Sequence, residues 1–225
     1  MKLLLTLGLM AATVPAFAAT NLITNGDFET GTYTGWNANV QAGSGGALNV
    51  VANGSNSPIS GFFIPANGTG GNFFSITDQP GPGSYSLTQS FTLGSAAQVT
   101  VSFDQFLGDR GGFFPNGRDY TNIPNQNAVV DILIDGADPF TNSASDIVAV
   151  LWGPAGFLDE AWQHYSSTLN LAAGTYQLRF AETDNQSFFQ QAIDNVVVDA
   201  VAEPGTVALM LLGVAGIALG KRRAR

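Results

Sequence analysis

Through the middle of the chain, apolar and polar residues alternate with a period of two. Tyr176, Leu178 and Phe180 share one parity while Gln177 and Arg179 take the other; Val99, Val101 and Phe103 alternate with Thr100 and Ser102. Tyr85, Leu87, Phe91 and Leu93 share a face, and Ala128, Val130, Ile132 and Ile134 oppose Asp131 and Asp135. Successive side chains of a strand point to opposite faces, so each run predicts a half-buried strand with its polar side to solvent. Asp135-Gly136 closes one strand and Ala173-Gly174 opens another. Helical periodicity is hard to find. Many short strands between Gly-, Asn- and Pro-rich connections predict an all-β fold, an antiparallel β-sandwich of the jelly-roll kind. From Ala38 to Gly83 the pattern fades into Gly, Asn and Ser, which predicts long loops with a few short strands. No internal repeat is evident, which argues against a solenoid.

The two ends follow a different pattern. Met1-Lys2 precedes an apolar run from Leu3 to Val14 and then Pro15-Ala16-Phe17-Ala18-Ala19. A positive start, an apolar stretch and an Ala-x-Ala site read as a secretory signal peptide over residues 1–18, cut after Ala18 with Ala16 as the other small residue. At the far end Val201-Ala202-Glu203-Pro204-Gly205 leads into an apolar stretch to Gly220 and then Lys221-Arg222-Arg223-Ala224-Arg225. As a helix, the segment 205–220 measures about 24 Å at ~1.5 Å per residue, against a bilayer core of about 30 Å. It spans with help from its flanks or from local thinning. The basic tail stays cytoplasmic by the positive-inside rule, so the preceding chain lies outside. Residues 19–201 are left as one β-sandwich domain between two targeting segments.

Glu203-Pro204-Gly205, the Leu/Ala/Gly-rich helix and the Arg-rich end resemble the PEP-CTERM sorting signal of Gram-negative bacteria, over 202–225. That family's motif is Pro-Glu-Pro, and Ala202 stands here in place of the first proline. The resemblance implies recognition by an exosortase, a membrane-tethered precursor and then a cell-surface or extracellular location in a polysaccharide-producing, biofilm-forming bacterium. An ordinary C-terminal membrane anchor is the alternative reading of the same helix.

Charge sharpens the middle part. The segment from Ala19 to Glu203 holds all seventeen acids and only Arg110, Arg118 and Arg179, a balance of −14, and it has no lysine. Such a surface repels phosphate backbones, so no nucleic-acid partner is expected. The chain has no Cys and one His, which leaves out disulfides, thiolate zinc sites, cysteine nucleophiles and multi-histidine metal centres.

Asn21-Leu22-Ile23-Thr24-Asn25-Gly26-Asp27-Phe28-Glu29 followed by Gly35-Trp36 looks like the opening of galactose-binding-like jelly rolls, as in many carbohydrate-binding modules. Ala192-Ile193-Asp194-Asn195-Val196-Val197-Val198 looks like their closing strand. The resemblance implies that the first and last strands lie side by side and that Trp36 is a core residue. It also implies a structural Ca²⁺ where those strands meet, held by Glu29 and Asp194 with Asp27 a weaker candidate. Oxygen ligands of this type suit calcium. Turn hydrogen bonds and strand capping are the alternative roles for the same three residues.

For ligand binding the residues of interest are aromatics, whose rings stack on the apolar face of a sugar. The Gly-rich stretch from Gly108 to Tyr120 sets Arg110, Phe113, Phe114, Arg118 and Tyr120 together in one predicted loop, a candidate site for exopolysaccharide or another glycan. The competing reading is a long loop whose arginines pair locally with Asp109 and Asp119. A second polar and aromatic connection runs from Ala181 to Gln186 and on to Phe188-Phe189; its distance from the first is not fixed by sequence. Asp131, Asp135 and Asp138 lack the spacing of a calcium loop and read as a solvated hairpin, while His164 reads as a surface residue. Asp159-Glu160 are neighbours that point to opposite faces of a strand. No Gly-x-Ser-x-Gly, phosphate-loop or His-Glu-x-x-His motif occurs. A non-enzymatic glycan-binding protein is therefore expected, with a structural matrix or adhesion protein as the alternative and a glycoside-active enzyme as the third.

Overall fold

The computed structural model of the chain describes residues 20–78, 81–109, 112–156 and 160–202. The expected signal peptide over 1–18, the Glu203-Pro204-Gly205 motif, the apolar segment 205–220 and Arg110 lie outside the described residues. Among the described residues no helix is long and apolar enough to cross a membrane.

The described residues form eleven strands: β1 (Thr20–Asn21), β2 (Asn37–Val40), β3 (Ala47–Ala52), β4 (Phe73–Asp78), β5 (Gly83–Leu93), β6 (Ala97–Asp109), β7 (Gln126–Ile134), β8 (Ile147–Ala155), β9 (Gln163–Leu171), β10 (Gly174–Asp184) and β11 (Phe189–Ala202). They build two antiparallel sheets. One has the order β3-β4-β11-β6-β9 with β1 paired to β11; the other has the order β2-β5-β10-β7-β8. The expected all-β sandwich is what the chain forms. From β8 onward every connection passes from one sheet to the other.

The alternating residues meet between the sheets. Leu87, Phe91 and Leu93 of β5, Val99, Val101 and Phe103 of β6, Val130 and Ile132 of β7, and Leu178 and Phe180 of β10 are buried in one cluster. Trp36 belongs to it, stacked on Phe28 at 5.7 Å and tilted against Phe180 at 6.1 Å. Its indole N–H donates to Asn25 O at 3.0 Å, which satisfies the ring's one polar atom.

The opening and closing motifs do lie side by side. Leu22 N donates to Val198 O at 2.8 Å and Val196 N to Gly26 O at 2.9 Å. Gly26 is required there: a Cβ at this position would run into the Val196 carbonyl. Asn195 takes φ 51° at the irregularity in β11 between Asp194 and Val197.

Two features depart from simple alternation. Arg179 and Asp131, on the outward parity of β10 and β7, are each 1% exposed. The connections 112–125 and 136–146 fold back over this outer face. Arg179 donates to Asp131 through Nε and Nη2 at 2.8 and 2.6 Å, and through Nη1 to the carbonyls of Pro139 and Thr141. On the other sheet the segment 53–72 covers a second apolar cluster of Val51, Ile64, Phe74, Ile76, Phe106 and Ala192. The chain's own loops thus cover part of both outer faces. The long-loop reading of 38–83 matches the structure, with β2, β3 and β4 as the short strands.

Candidate functional site

The strand ends gather at one end of the sandwich. β4, β6, β8 and β10 finish there while β5, β7, β9 and β11 begin, as the pairs Asp184↔Gly83, Asp184↔Gln126, Ala128↔Ala155 and Phe189↔Asp109 show. Two adjoining depressions sit at this end and share Phe188. One, of about 280 Å³, is lined by Gly81, Pro82, Asp184, Asn185, Gln186, Ser187 and Phe188. The other is shallow and is formed by Ser60, Gly61, Phe62, Phe63, Glu160 and Phe188.

The rings are held in different ways. Phe62 and Phe188 lie 4.6 Å apart, and both pack where a side chain at Gly108 would stand. Phe62 also reaches Phe106 at 6.4 Å, so the pair is anchored to the cluster beneath segment 53–72. Phe63 is 57% exposed. Asp78 fixes the preceding turn by accepting from Ile59 N and Ser60 N at 2.6 and 2.9 Å. An aromatic ledge on a braced turn, rimmed by amide and carboxylate groups, can hold a ring's apolar face and several hydroxyls.

The described candidates of the expected Gly108–Tyr120 loop stand in different settings. Phe113 is exposed and packs against Gly156 at the same end of the sandwich. Phe114 is half-buried and exchanges two backbone hydrogen bonds with Gln126, both 2.9 Å. Arg118 turns inward: it is 6% exposed, its Nη1 donates to Asn127 Oδ1, and burial and then the nearby Arg179 lower its pKa to about 10. Tyr120 donates its hydroxyl to Ala42 O at 3.2 Å. Asp119 accepts from Thr121 N and Oγ1 and from Gln41 Nε2, at 2.9, 2.8 and 2.9 Å. The two polar connections do meet: Asn185 Nδ2 donates to Tyr120 O and to Asn122 O, and Asn125 N donates to Asn185 Oδ1 at 2.7 Å.

The three suggested calcium ligands are not all together. Glu29 accepts from Asn72 Nδ2, Asn72 N and Phe73 N at 2.7, 2.5 and 3.0 Å, and these bonds lower its pKa. Asp194 lies against the same segment: side chains at Gly70 and Gly71 would meet Asp194 and Glu29 respectively. Asp27 accepts from Glu29 N at 3.4 Å and lines a separate shallow surface with Asn21 and Asn195. Among the described residues no group of three or more acidic or histidine side chains is arranged to hold a metal ion.

A row that alternation alone does not reveal crosses the outer face of the first sheet. His164, Asp104 and Asp194 are cross-strand partners on β9, β6 and β11. His164 Nδ1 lies 2.7 Å from Asp104 Oδ1, and the imidazole is otherwise exposed, as expected for a surface residue. Burial pushes Asp104 up, but hydrogen bonds from Asn195, Asn67, Thr69 and His164 outweigh it and hold the carboxyl below its usual value.

No protein-family model matches the chain, and no curated protein matches it. Solved structures do. A family 61 carbohydrate-binding module in complex with beta-1,4-galactotriose is similar over 80% of this chain and 97% of its own, at 13% identity and a TM-score of 0.51. A Stig cyclase from Fischerella sp. TAU is similar over 83% of this chain and 100% of its own, at 17% identity and a TM-score of 0.52. A family 4 carbohydrate-binding module covers 79% of this chain and 99% of its own at 18% identity, with a TM-score of 0.42. At such identities the likeness is one of fold, and the fold hosts both sugar binding and cyclisation.

Proposed function

We propose that the chain is an exported, non-enzymatic glycan-binding protein whose binding surface is the aromatic end of the sandwich. The observation that carries this reading is the exposed ring of Phe63 beside the Phe62–Phe188 pair, rimmed by Glu160, Asn185 and Gln186. Exposed Phe63 with half-buried Phe62 and Phe188 forms an apolar patch on a braced turn, the kind of surface that suits a partner. A sugar's C–H face is such a partner. The fold shared with a galactotriose-binding module supports the reading without specifying the sugar. Of the residues singled out in the sequence, Phe113 belongs to this surface. Arg118 and Tyr120 act from behind it, by fixing the loop. We read the exchange of strands between sheets as a jelly roll.

The rest of the reading draws on the sequence. The signal peptide exports the chain, and the 202–225 segment tethers it to the inner membrane until an exosortase acts at Glu203-Pro204-Gly205. The domain then works at the cell surface or in the exopolysaccharide matrix. A structural Ca²⁺ would be held by Glu29 and Asp194, where it would tie the 67–72 segment to β11. Sorting is tested by immunoblotting cell fractions of the producer with and without its exosortase. Accumulation of the longer, membrane-bound form without the enzyme supports the reading; identical size and location contradict it. Binding is tested by pull-down of the full chain on the producer's exopolysaccharide.

A further inference from the structure

We infer that the glycan surface continues from the aromatic end onto the outer face of the first sheet, where a second subsite at Trp162 and His164 takes a further unit of the same polysaccharide chain; this rests on the glycan-binding reading above. The same two segments build both places. Ser60, Phe63 and Glu160 line the ledge. Further along those segments, Asn67, Thr69, Trp162 and His164 line a pocket of about 250 Å³ together with Asp104 of β6. Asn67 comes four residues after Phe63, and His164 four after Glu160. On either segment the two places are therefore at most about 14 Å apart. Trp162 ties the segments together between them. Its indole N–H donates to Pro65 O at 2.7 Å, and its ring packs against Phe74 at 5.2 Å and Phe106 at 6.1 Å.

The pocket is held in shape by its own hydrogen bonds. Asn67 and Asp104 are both buried, and Asp104 Oδ2 accepts from Asn67 Nδ2, Thr69 Oγ1 and Asn195 Nδ2 at 3.0, 2.7 and 2.7 Å. Its other oxygen accepts from His164 Nδ1 at 2.7 Å. A carboxylate only accepts, so this bond places the ring's proton on Nδ1 and makes Nε2 an acceptor, on an imidazole side chain that is 63% exposed. A sugar hydroxyl can donate to that nitrogen while the sugar's C–H face meets the indole. Both contacts are in place beforehand, so little ordering is lost on binding. A chain seated on the ledge also brings its next units to the pocket at high effective concentration, so a weak second contact still raises affinity for long chains.

The test titrates the full chain with size-fractionated oligomers from partial hydrolysis of the producer's exopolysaccharide. His164 is the chain's one histidine, so its ring-proton NMR signals report on the pocket without any substitution. They should shift on saturation with long oligomers and stay in place with the shortest that bind. In calorimetry His164→Ala should cost about 2- to 10-fold of the long-oligomer affinity, the worth of one hydrogen bond, and leave the shortest unchanged. Asn170→Ala, exposed near the far end of β9, should leave both unchanged, which marks the loss as local. Ring signals unmoved by long oligomers, or a His164→Ala affinity equal to wild type at every length, overturns the second subsite and leaves binding at the ledge intact. Wild-type chain that binds no oligomer of any length overturns the glycan reading itself.

Discussion

Asp104 and Asp194 stand opposite one another on β6 and β11, and both carboxylates accept from the same amide, Asn67 Nδ2, at 3.0 and 3.1 Å. The two titrate in opposite directions. Asp104 collects four side-chain hydrogen bonds and stays ionised. Asp194 is pushed up to about 7, by burial first and then by the negative charges of Asp104 and Glu29 against the bonds from Asn195 and Asn67. The segment 67–72 is therefore latched by a pair of carboxyls sharing one amide, of which only one is readily charged.

A pH dependence follows. In the unfolded chain Asp194 returns to about 3.8, so between about pH 4 and about pH 7 the folded state holds a proton that the unfolded state has lost. Stability from this group is present at the acid side of that window and falls as pH rises through it. The lowered Asp104 and Glu29 act below the window, losing their contribution only as pH drops through their folded values. Melting temperatures in EDTA should decline from pH 5 to pH 8, and Asp194→Asn should flatten the decline. A wild-type curve that rises over this range, or an unchanged slope in the variant, contradicts the assignment.

Calcium should act on the same group with the opposite sign. A cation between Glu29 and Asp194 favours the charged carboxylate, so millimolar Ca²⁺ should raise the melting temperature at pH 8 and do little at pH 5. Glu29→Gln should abolish the increment. Identical melts with calcium and with EDTA at pH 8 would remove the ion from the account.

The Asp131–Arg179 pair gives a stability prediction. Both side chains are 1% exposed and joined by two hydrogen bonds, so removing one leaves a buried charge without its partner. Arg179→Met should cost about 3–5 kcal/mol in urea denaturation. The double variant with Asp131→Leu should cost less than Arg179→Met alone, because no orphaned carboxylate remains. A double variant at least as destabilised as the single one would show that the loop carbonyls of Pro139 and Thr141, rather than the charge, set the cost.

At the seam between the chain's two ends, Gly26→Ala places a methyl group against the Val196 carbonyl. The expected loss is about 1–3 kcal/mol, with fastest amide exchange appearing at Leu22 and Val196, whose N–H groups bond across the seam. A variant as stable as wild type would mean that this seam yields freely.

How far the sequence anticipates the structure depends on what lies above each strand. Period-two runs such as Val99-Val101-Phe103 are buried as read, and the Asn21–Glu29 and Ala192–Val198 motifs do pair. Alternation says which residues share a face but not whether that face meets water, so Arg179 and Asp131 read as solvated although two distant loops bury them. The same blindness affects Arg118, whose Gly-rich setting suggests exposure while Asn127 draws it inward. Nothing in the sequence singles out Phe62 and Phe63, because their segment has no period and their position depends on Asp78 across the fold. His164–Asp104–Asp194 is a register effect spanning 90 residues between Asp104 and Asp194, which local pattern cannot express.

Glycan binding is proposed for the exposed rings at the aromatic end of the sandwich. The most direct measurement is the affinity of the full chain for the producer's exopolysaccharide, compared between wild type and Phe63→Ala, with melting temperature recorded for both. Phe63 is 57% exposed, so its loss should change stability by less than about 0.5 kcal/mol. Affinity should fall at least about 5-fold, roughly 1 kcal/mol of ring contact. Unchanged affinity in a variant that melts like wild type would contradict the account.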